Sequence, residues 1–419
     1  MSTALAAPPA VVCEPPGRVG SYGDDVAEIA ERIGRPLVPE QLLAVDVLTA
    51  HDRRGRFLSV EAGIEVGRQN GKAIDCATPM LTTGGWSTMG ELQVGDRVLH
   101  PDGSDVLVVE AHPVRVDRPC YRVTTTDGRS LVVDAEHLWT VLDVRRGKSV
   151  GRRGERRVVV REWETLTTQQ ILGRGLLRAG STERSRDFAF RLPRQHVVKL
   201  SDADLPIDPY LLGAWLGDGT SKASVLTVGA EDVDEVCQIV EQSGGEVVSR
   251  RLERTAWRIS FRLRGARMRD GFESRCRRLG VWRNKHVPPA YMAAGAEQRL
   301  ALLQGLLDTD GSIDGTQGKV EFCSTRRELA EGVLYLARSL GWRATSKESA
   351  ATIGGREVGR RWRVCFTPDA SEGVPFRLAR KVARVRSGLT DSRHAVSIAA
   401  IEPVPSRPVR CIKVDRPDG

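Results

Sequence analysis

Two copies of one pattern, L-x-G-x-x-x-x-D-G, stand in this chain: LLGAWLGDG, ending at Asp218-Gly219, and LQGLLDTDG, ending at Asp310-Gly311. Each is a short apolar helix that finishes on an acid. Gly213 and Gly217 are four apart and share a helix face, and Ala301, Gly305 and Thr309 repeat that spacing. Small residues so spaced let two helices approach closely. If the copies pack on each other, Asp218 and Asp310 meet at one end of the interface. Two carboxylates so placed repel unless a divalent cation neutralises them. Oxygen ligands with positions left for water suit Mg2+. A metal held there can orient a phosphodiester, activate water and stabilise the leaving oxygen.

A second candidate lies upstream. In GRQNGKA, Gly71 and Lys72 offer what a nucleoside triphosphate needs, a close backbone approach and a lysine for the phosphates. The next residue should be Ser or Thr, opening a helix, but it is Ala73. Three residues later Cys76 begins CATPMLTTGGW, a run of quite different texture.

The elements that must position these groups fall into blocks. Residues 1–75 read as a Pro-rich leader, helices at DDVAEIAERIG and PEQLLAVDVLTAHD, and a strand entering the Lys72 loop. That is too little chain for a whole P-loop domain. From residue 76 short β-rich runs alternate with PDG and TDG turns, and an arginine-rich loop spans 145–157. From about 203 the acidic helix, a strand, a helix and two strands occur twice. A duplication of such long period implies two pseudo-symmetric halves rather than a solenoid. The last strands of each half, WRISFRLR and RRWRVCF, alternate. Arg258, Arg262 and Arg264, with Arg361 and Arg363, oppose an apolar face, and arginine on a β-surface can contact phosphates and read guanine. The tail, HAVSIAAIEPVPSRPVRCIKVDRPDG, returns to strand alternation.

The net charge of +9 and a pI near 9.3 favour a polyanionic partner. No run is long enough to span a bilayer, and the N-terminus lacks a basic n-region, so a cytosolic protein without membrane partners is expected. The eight cysteines form no CxxC pair, which argues against a zinc site or a disulfide framework. Cys237, Cys276, Cys323 and Cys365 read as small core residues.

The paired acidic helices resemble the dodecapeptide motifs of the LAGLIDADG homing endonucleases. That resemblance implies Asp218 and Asp310 as catalytic metal ligands for Mg2+. It implies Lys285, in NKHVPPAY, as a lysine that stabilises charge at the phosphate. It also implies a monomer of pseudo-two-fold symmetry acting on double-stranded DNA of the uninterrupted host gene. Asp308 matches an earlier acidic position of the motif, but its first-copy counterpart is Leu216, so it is not assigned to catalysis. CATPMLTTGGWSTMGELQVGDRVL and GRSLVVDAEHLWTV resemble the N-terminal blocks of an intein, a self-splicing Hint domain. Cys76 would then attack the Asp75 carbonyl, with His137 protonating the departing nitrogen and the thiol partly ionised near neutral pH. The sequence has Asp134 where the block has Thr, and Cys411 where many inteins have Asp. Trp139 with Cys411 resembles a subclass in which the internal cysteine attacks first, so Cys76 and Cys411 both stand as first nucleophile, Cys76 preferred. No His-Asn ending occurs before Gly419.

The implied architecture is α+β and multidomain: an all-β Hint domain (76–202 and 396–419) interrupted by a two-repeat αββαββ endonuclease (203–395), after a short α/β P-loop fragment (1–75). The VGRQNGK flank resembles the ATPase motif of a phage terminase large subunit, placing the protein in the cytoplasm of a phage or prophage host. A catalytically silent DNA-binding module and a packaging ATPase are the alternatives.

Overall fold

The computed structural model describes residues 19, 21–32, 51, 53–54, 73–100, 103–150, 158–181, 186–354, 356–370, 373–388 and 395–416. The chain divides into two compact units, Met1–Arg68 and Gln69–Gly419. In the first, the expected helix forms over Gly23–Arg32, with Asp24 and Asp25 in its first turn and Arg32 in its last, the arrangement that suits the helix dipole. The second expected helix, the following strand, Gly71 and Lys72 lie outside the described residues.

The second unit begins as β structure. One five-stranded sheet runs in the order Ile398–Val404, Cys120–Thr125, Ser130–Asp134, Ile74–Asp75, Val409–Arg410. Another runs Ile412–Val414, Asp105–Ala111, Arg97–Leu99, Pro79–Thr82, Gly85–Thr88. Strands from both ends of the unit therefore complete the same sheets. The insertion between them enters and leaves at one place. Leu192 N–H donates to the Val396 carbonyl at 2.8 Å, and Arg191 bridges Ser397.

The inserted region holds two sheets and the helices that cover them. The first repeat runs helix Pro209–Asp218, strand Val225–Gly229, helix Val233–Gln242, strands Gly245–Glu253 and Ala256–Leu263. The second runs helix Ala296–Asp310, strands Gly311–Ile313 and Val320–Ser324, helix Arg327–Ser339, strands Thr345–Ile353 and Arg356–Phe366. The second repeat has the expected αββαββ order. In the first, the strand after the acidic helix shrinks to a single Gly219–Leu226 bridge, so its sheet has three strands against four. One apolar core runs through both repeats, with Trp215 stacked on Trp282 at 5.6 Å and Trp342 on Phe366 at 5.3 Å. A segment at 195–199 joins the insertion to the β region. Lys199 N–H donates to the Gly103 carbonyl, Val198 N–H to that of Ser339, and Arg338 reaches the Asp127 carbonyl. Arg299, fully buried, is neutralised by no acid and is satisfied instead by the carbonyls of Ala294, Ser339 and Val198. Among the described residues no helix is long and apolar enough to cross a membrane.

Candidate active site

The acidic helices pack against each other through their glycines. A Cβ on Gly213 would stand 2.1 Å from the Leu302 carbonyl oxygen, one on Gly305 2.2 Å from that of Tyr210, and one on Gly217 2.0 Å from Thr309 Oγ1. Only the absence of side chains permits this approach. Asp218 and Asp310, each the last helical residue, therefore come to the same end of the interface.

Their electrostatics agree with that placement. Asp310 keeps an open side to solvent, yet its carboxyl is pushed up to about 6, first by desolvation and then by the charge of Asp218. Asp218 is raised too, chiefly by desolvation, with Lys285 pulling the other way. Among the described residues no hydrogen bond acts on either carboxylate. Lys285 is buried and donates to the Gly217 and Gly219 carbonyls at 3.1 and 2.6 Å, with the Trp215 ring beneath it at 5.2 Å. Desolvation brings it down to about 8 against the opposing pull of Asp310 and Asp218. The three groups implied by the motifs are thus brought together.

A fourth group was not anticipated. Lys381, also buried, donates to the carbonyls of Leu307, Asp308 and Gly311 at 2.8, 2.8 and 2.6 Å. It caps the second acidic helix as Lys285 caps the first. Desolvation lowers it to about 8, with Asp308 and Asp310 favouring its charge. Asp308 faces inward. It accepts from Tyr210 Oη and the Arg377 amide, both at 2.9 Å, and desolvation lifts it to about 6.

A divalent ion fits these residues. Two carboxylates free of hydrogen bonds, one open to solvent and repelling its neighbour, are a donor set that gains from a cation. Among the described residues no group of three or more His, Cys, Asp or Glu side chains is placed to hold a metal ion, so the remaining ligands would be water and phosphate oxygens.

The other constellation surrounds the start of the β region. Cys76 N–H donates to the Pro408 carbonyl at 2.9 Å, and its own carbonyl accepts from Gly90 N–H at 2.9 Å. His137 Nδ1 lies 3.2 Å from the Ala73 carbonyl oxygen, and its ring meets Trp139 edge-on at 4.7 Å. Trp139 in turn donates to Thr168 Oγ1 at 3.0 Å. Cys411 is buried one step past the Ile74–Arg410 pair, opposite the same stretch. His137 reaches the Ala73 carbonyl, Trp139 stands against His137, and Cys411 lies one residue beyond the strand pairing of Ile74 with Arg410, but the Cys76 amide is held by Pro408. The Cys76 thiol also departs from expectation. Burial, then Asp75, push it up rather than toward ionisation, and Arg410 opposes them.

Residues 297–365 match the LAGLIDADG-like domain family. Over 353 residues the chain is 33% identical to the replicative DNA helicase DnaB of Mycobacterium intracellulare, which covers 82% of this chain and 56% of that relative. The chain thus spans little more than half of that relative's length. It is also similar to the crystal structure of the Msm DnaB1 intein splicing domain bound with zinc (32% identity, 23% of this chain, 90% of that one, TM-score 0.17). A further similarity is to I-DmoI in complex with DNA and Ca (12% identity, 42% of this chain, 95% of that one, TM-score 0.28). The curated relative is a helicase and lends no support to a terminase host.

The LAGLIDADG-like match covers the second acidic helix and most of the second sheet. On the first sheet Ile259, Phe261 and Leu263 are buried, while Arg258 and Arg262 look out. Arg262 pairs with Glu246 at 2.6 Å and Arg258 with Glu253 at 3.3 Å. Arg264, exposed beyond the end of the strand, donates through one nitrogen to the Glu241 and Gly245 carbonyls. On the second sheet Arg361 and Arg363 share the open face with Lys347, opposite Arg363 in register. Cys323 and Cys365 lie on that face too, half-buried, and are not core residues, whereas Cys237 and Cys276 are. The strand period places Cys365 beside its arginines.

Proposed function

We propose that residues 203–395 are a site-specific, metal-dependent DNA endonuclease carried within an intein whose two parts are 76–202 and 396–419. The observation that supports this most is the glycine-to-backbone packing of the acidic helices, which brings Asp218 and Asp310 together beside Lys285. Such contact is hard to explain as ordinary core packing, because it concentrates repelling charge. A bound Mg2+ would supply a Lewis acid and an activated water at the scissile phosphate. Asp218 and Asp310 would hold it. Lys285, fixed by carbonyls at the end of the first acidic helix, and Lys381, fixed at the end of the second, each place positive charge at their own helix end, where negative charge would grow as one phosphodiester is attacked. Arg258, Arg262, Arg361 and Arg363 contact the DNA from the two sheets, and the pseudo-symmetric monomer needs no partner subunit.

In the splicing region, Cys76 attacks the Asp75 carbonyl, exchanging an amide for a thioester. His137, in the turn between two strands with its Nδ1 3.2 Å from the Ala73 carbonyl oxygen, delivers the proton to the departing nitrogen. With its thiol disfavouring ionisation, Cys76 must lose its proton as it attacks.

The flank at Lys72 we read as a P-loop ATPase fragment of a terminase large subunit in the cytoplasm of a phage host. The helicase similarity can be accounted for without it, since residues 76–419 make up 82% of the chain, the share that is matched. Reading the coding sequence beyond codon 419 tests this. A His-Asn codon pair followed by the remaining ATPase sheet of a terminase is expected, and helicase sequence would overturn the terminase assignment.

The decisive test of the endonuclease is cleavage, with Mg2+, of DNA carrying the uninterrupted host gene. The wild type is expected to cut it and to spare the interrupted gene. Asp218→Asn and Asp310→Asn are expected to bind without cutting. A wild type that binds and never cuts would make the chain a silent DNA-binding module.

A further inference from the structure

The two repeats hold their lysines by different means. Lys285 follows a main-chain turn, in which Val281 N–H donates to Cys276, Asn284 N–H to Val281 and Arg283 N–H to Ser221. The segment bearing Lys381 has a side chain as its inner anchor. The amides of Arg377 and Leu378 donate to the Asp308 carboxylate at 2.9 and 3.4 Å, and Tyr210 Oη donates to it at 2.9 Å. The Arg377 guanidinium lies over the Tyr210 ring at 4.4 Å and donates to Gln304 Oε1. On its outer side the segment is tied by Arg380 to Asp232, at 2.6 Å through each of two nitrogens, and by the Ala379 amide to Glu235. In the first repeat the place of Asp308 is taken by Leu216, fully buried in the core. The acid is present only where a lysine-bearing segment must be held by a side chain.

We infer that Asp308 is a positioning residue for Lys381, fixing that lysine at the end of the second acidic helix, and so serves the cut of one DNA strand and not the other. The inference rests on the endonuclease reading for its consequence, though not for its geometry. A buried carboxylate receiving three donors cannot be replaced by an amide without turning one or more N–H groups toward another donor. Asp308→Asn keeps shape and volume and removes the anchor.

Two readouts test this on the full chain. Without metal or DNA, trace acetic anhydride labels lysines, and mass spectrometry compares the peptides holding Lys381 and Lys285. Asp308→Asn is expected to raise labelling of Lys381 by about tenfold, the weight of one hydrogen bond to a buried charge, and to leave Lys285 unchanged. With Mg2+ and a plasmid carrying the uninterrupted gene, the variant is expected to accumulate nicked circles, all broken in the same strand. Tyr210→Phe, which removes one donor, is expected to show the same bias more weakly. It carries the test if Asp308→Asn loses the wild-type melt. Equal labelling of both lysines, or equal slowing of both strands, would mean that Asp308 supports the fold generally, and would overturn the inference. A wild type that never cuts refutes the endonuclease reading instead, and the labelling still decides the role of Asp308.

Discussion

Replacing Gly305 by alanine sets two effects of opposite sign against each other. In a helix interior alanine is favoured over glycine by about 1 kcal/mol. At this position the added Cβ would stand 2.2 Å from the Tyr210 oxygen, 2.6 Å from the Ala214 nitrogen and 3.0 Å from the Gly213 carbonyl carbon. Ordinary contact begins near 3.4 Å, so the helices must separate by about 1.2 Å. The struck atoms are backbone and cannot turn aside. Overpacking of this kind costs about 1–3 kcal/mol, and a rigid partner places it at or above the upper end. The net loss is about 2 kcal/mol, or about 4–8 °C of melting temperature for a domain of this size. The same separation draws Asp218 from Asp310, and a displacement of about 1 Å at reacting groups costs about 100-fold in rate. Calorimetry and plasmid cleavage measure the two, with DNA affinity expected to hold. Gly173→Ala is the control: it lies in a helix with open space around it and is expected to stabilise. If Gly305→Ala matched Gly173→Ala in melting and cut at the wild-type rate, the helices could not pack as described.

Asp310→Asn is expected to raise the melting temperature of metal-free protein at pH 7. The folded state raises this carboxyl to about 6 from an ordinary value near 3.8, so its charge opposes folding above that window. The gain should shrink as pH falls through 6 and vanish near 4. Lys285 is charged below about 8 in the folded protein, so cleavage should decline above that pH, and Lys285→Met should lower the rate and flatten the alkaline limb. An external thiol should release residues 1–75 from the wild type and not from Cys76→Ala. Release that survives Cys76→Ala but is lost in Cys411→Ala would make Cys411 the first nucleophile. Alanine at Arg262 or Arg363 should weaken DNA binding and reduce its salt slope by about one, and an unchanged slope at both would place the DNA elsewhere.

The packing of the acidic helices was legible because its cause is local. Glycines four apart declare a close contact before the partner is known, and the repeat supplies the partner. Lys285 was found only through likeness to a family, and Lys381 was missed. Its role depends on carbonyls at Leu307–Gly311, far away in sequence. One signal was available: Lys381 stands about as far past Asp310 as Lys285 does past Asp218. Cys365 was misplaced although it alternates in step with Arg361 and Arg363, because cysteine suggested a core when the strand period said otherwise. The ionisation of Cys76 could not be read either. It is set by Asp75, Arg410 and burial, and two of these three depend on the fold.

The hydrogen bond between Leu192 and Val396 makes a neck one strand-pair wide through which the whole inserted region passes. The four described sheets of the β region, the two of five strands and two smaller ones, are all built from strands outside that neck. Removing residues 193–395 and closing the gap with a short turn would therefore subtract no strand from any of them. The losses would include the contacts of the strap at 195–199, of Arg338, and of Tyr335 with Trp86. On the proposed reading, such a joint would let two genetic passengers share one reading frame while decaying independently. The cutting part would be free to erode, or to be excised altogether, with the splicing scaffold left whole, and an empty scaffold would offer the same neck to a new occupant.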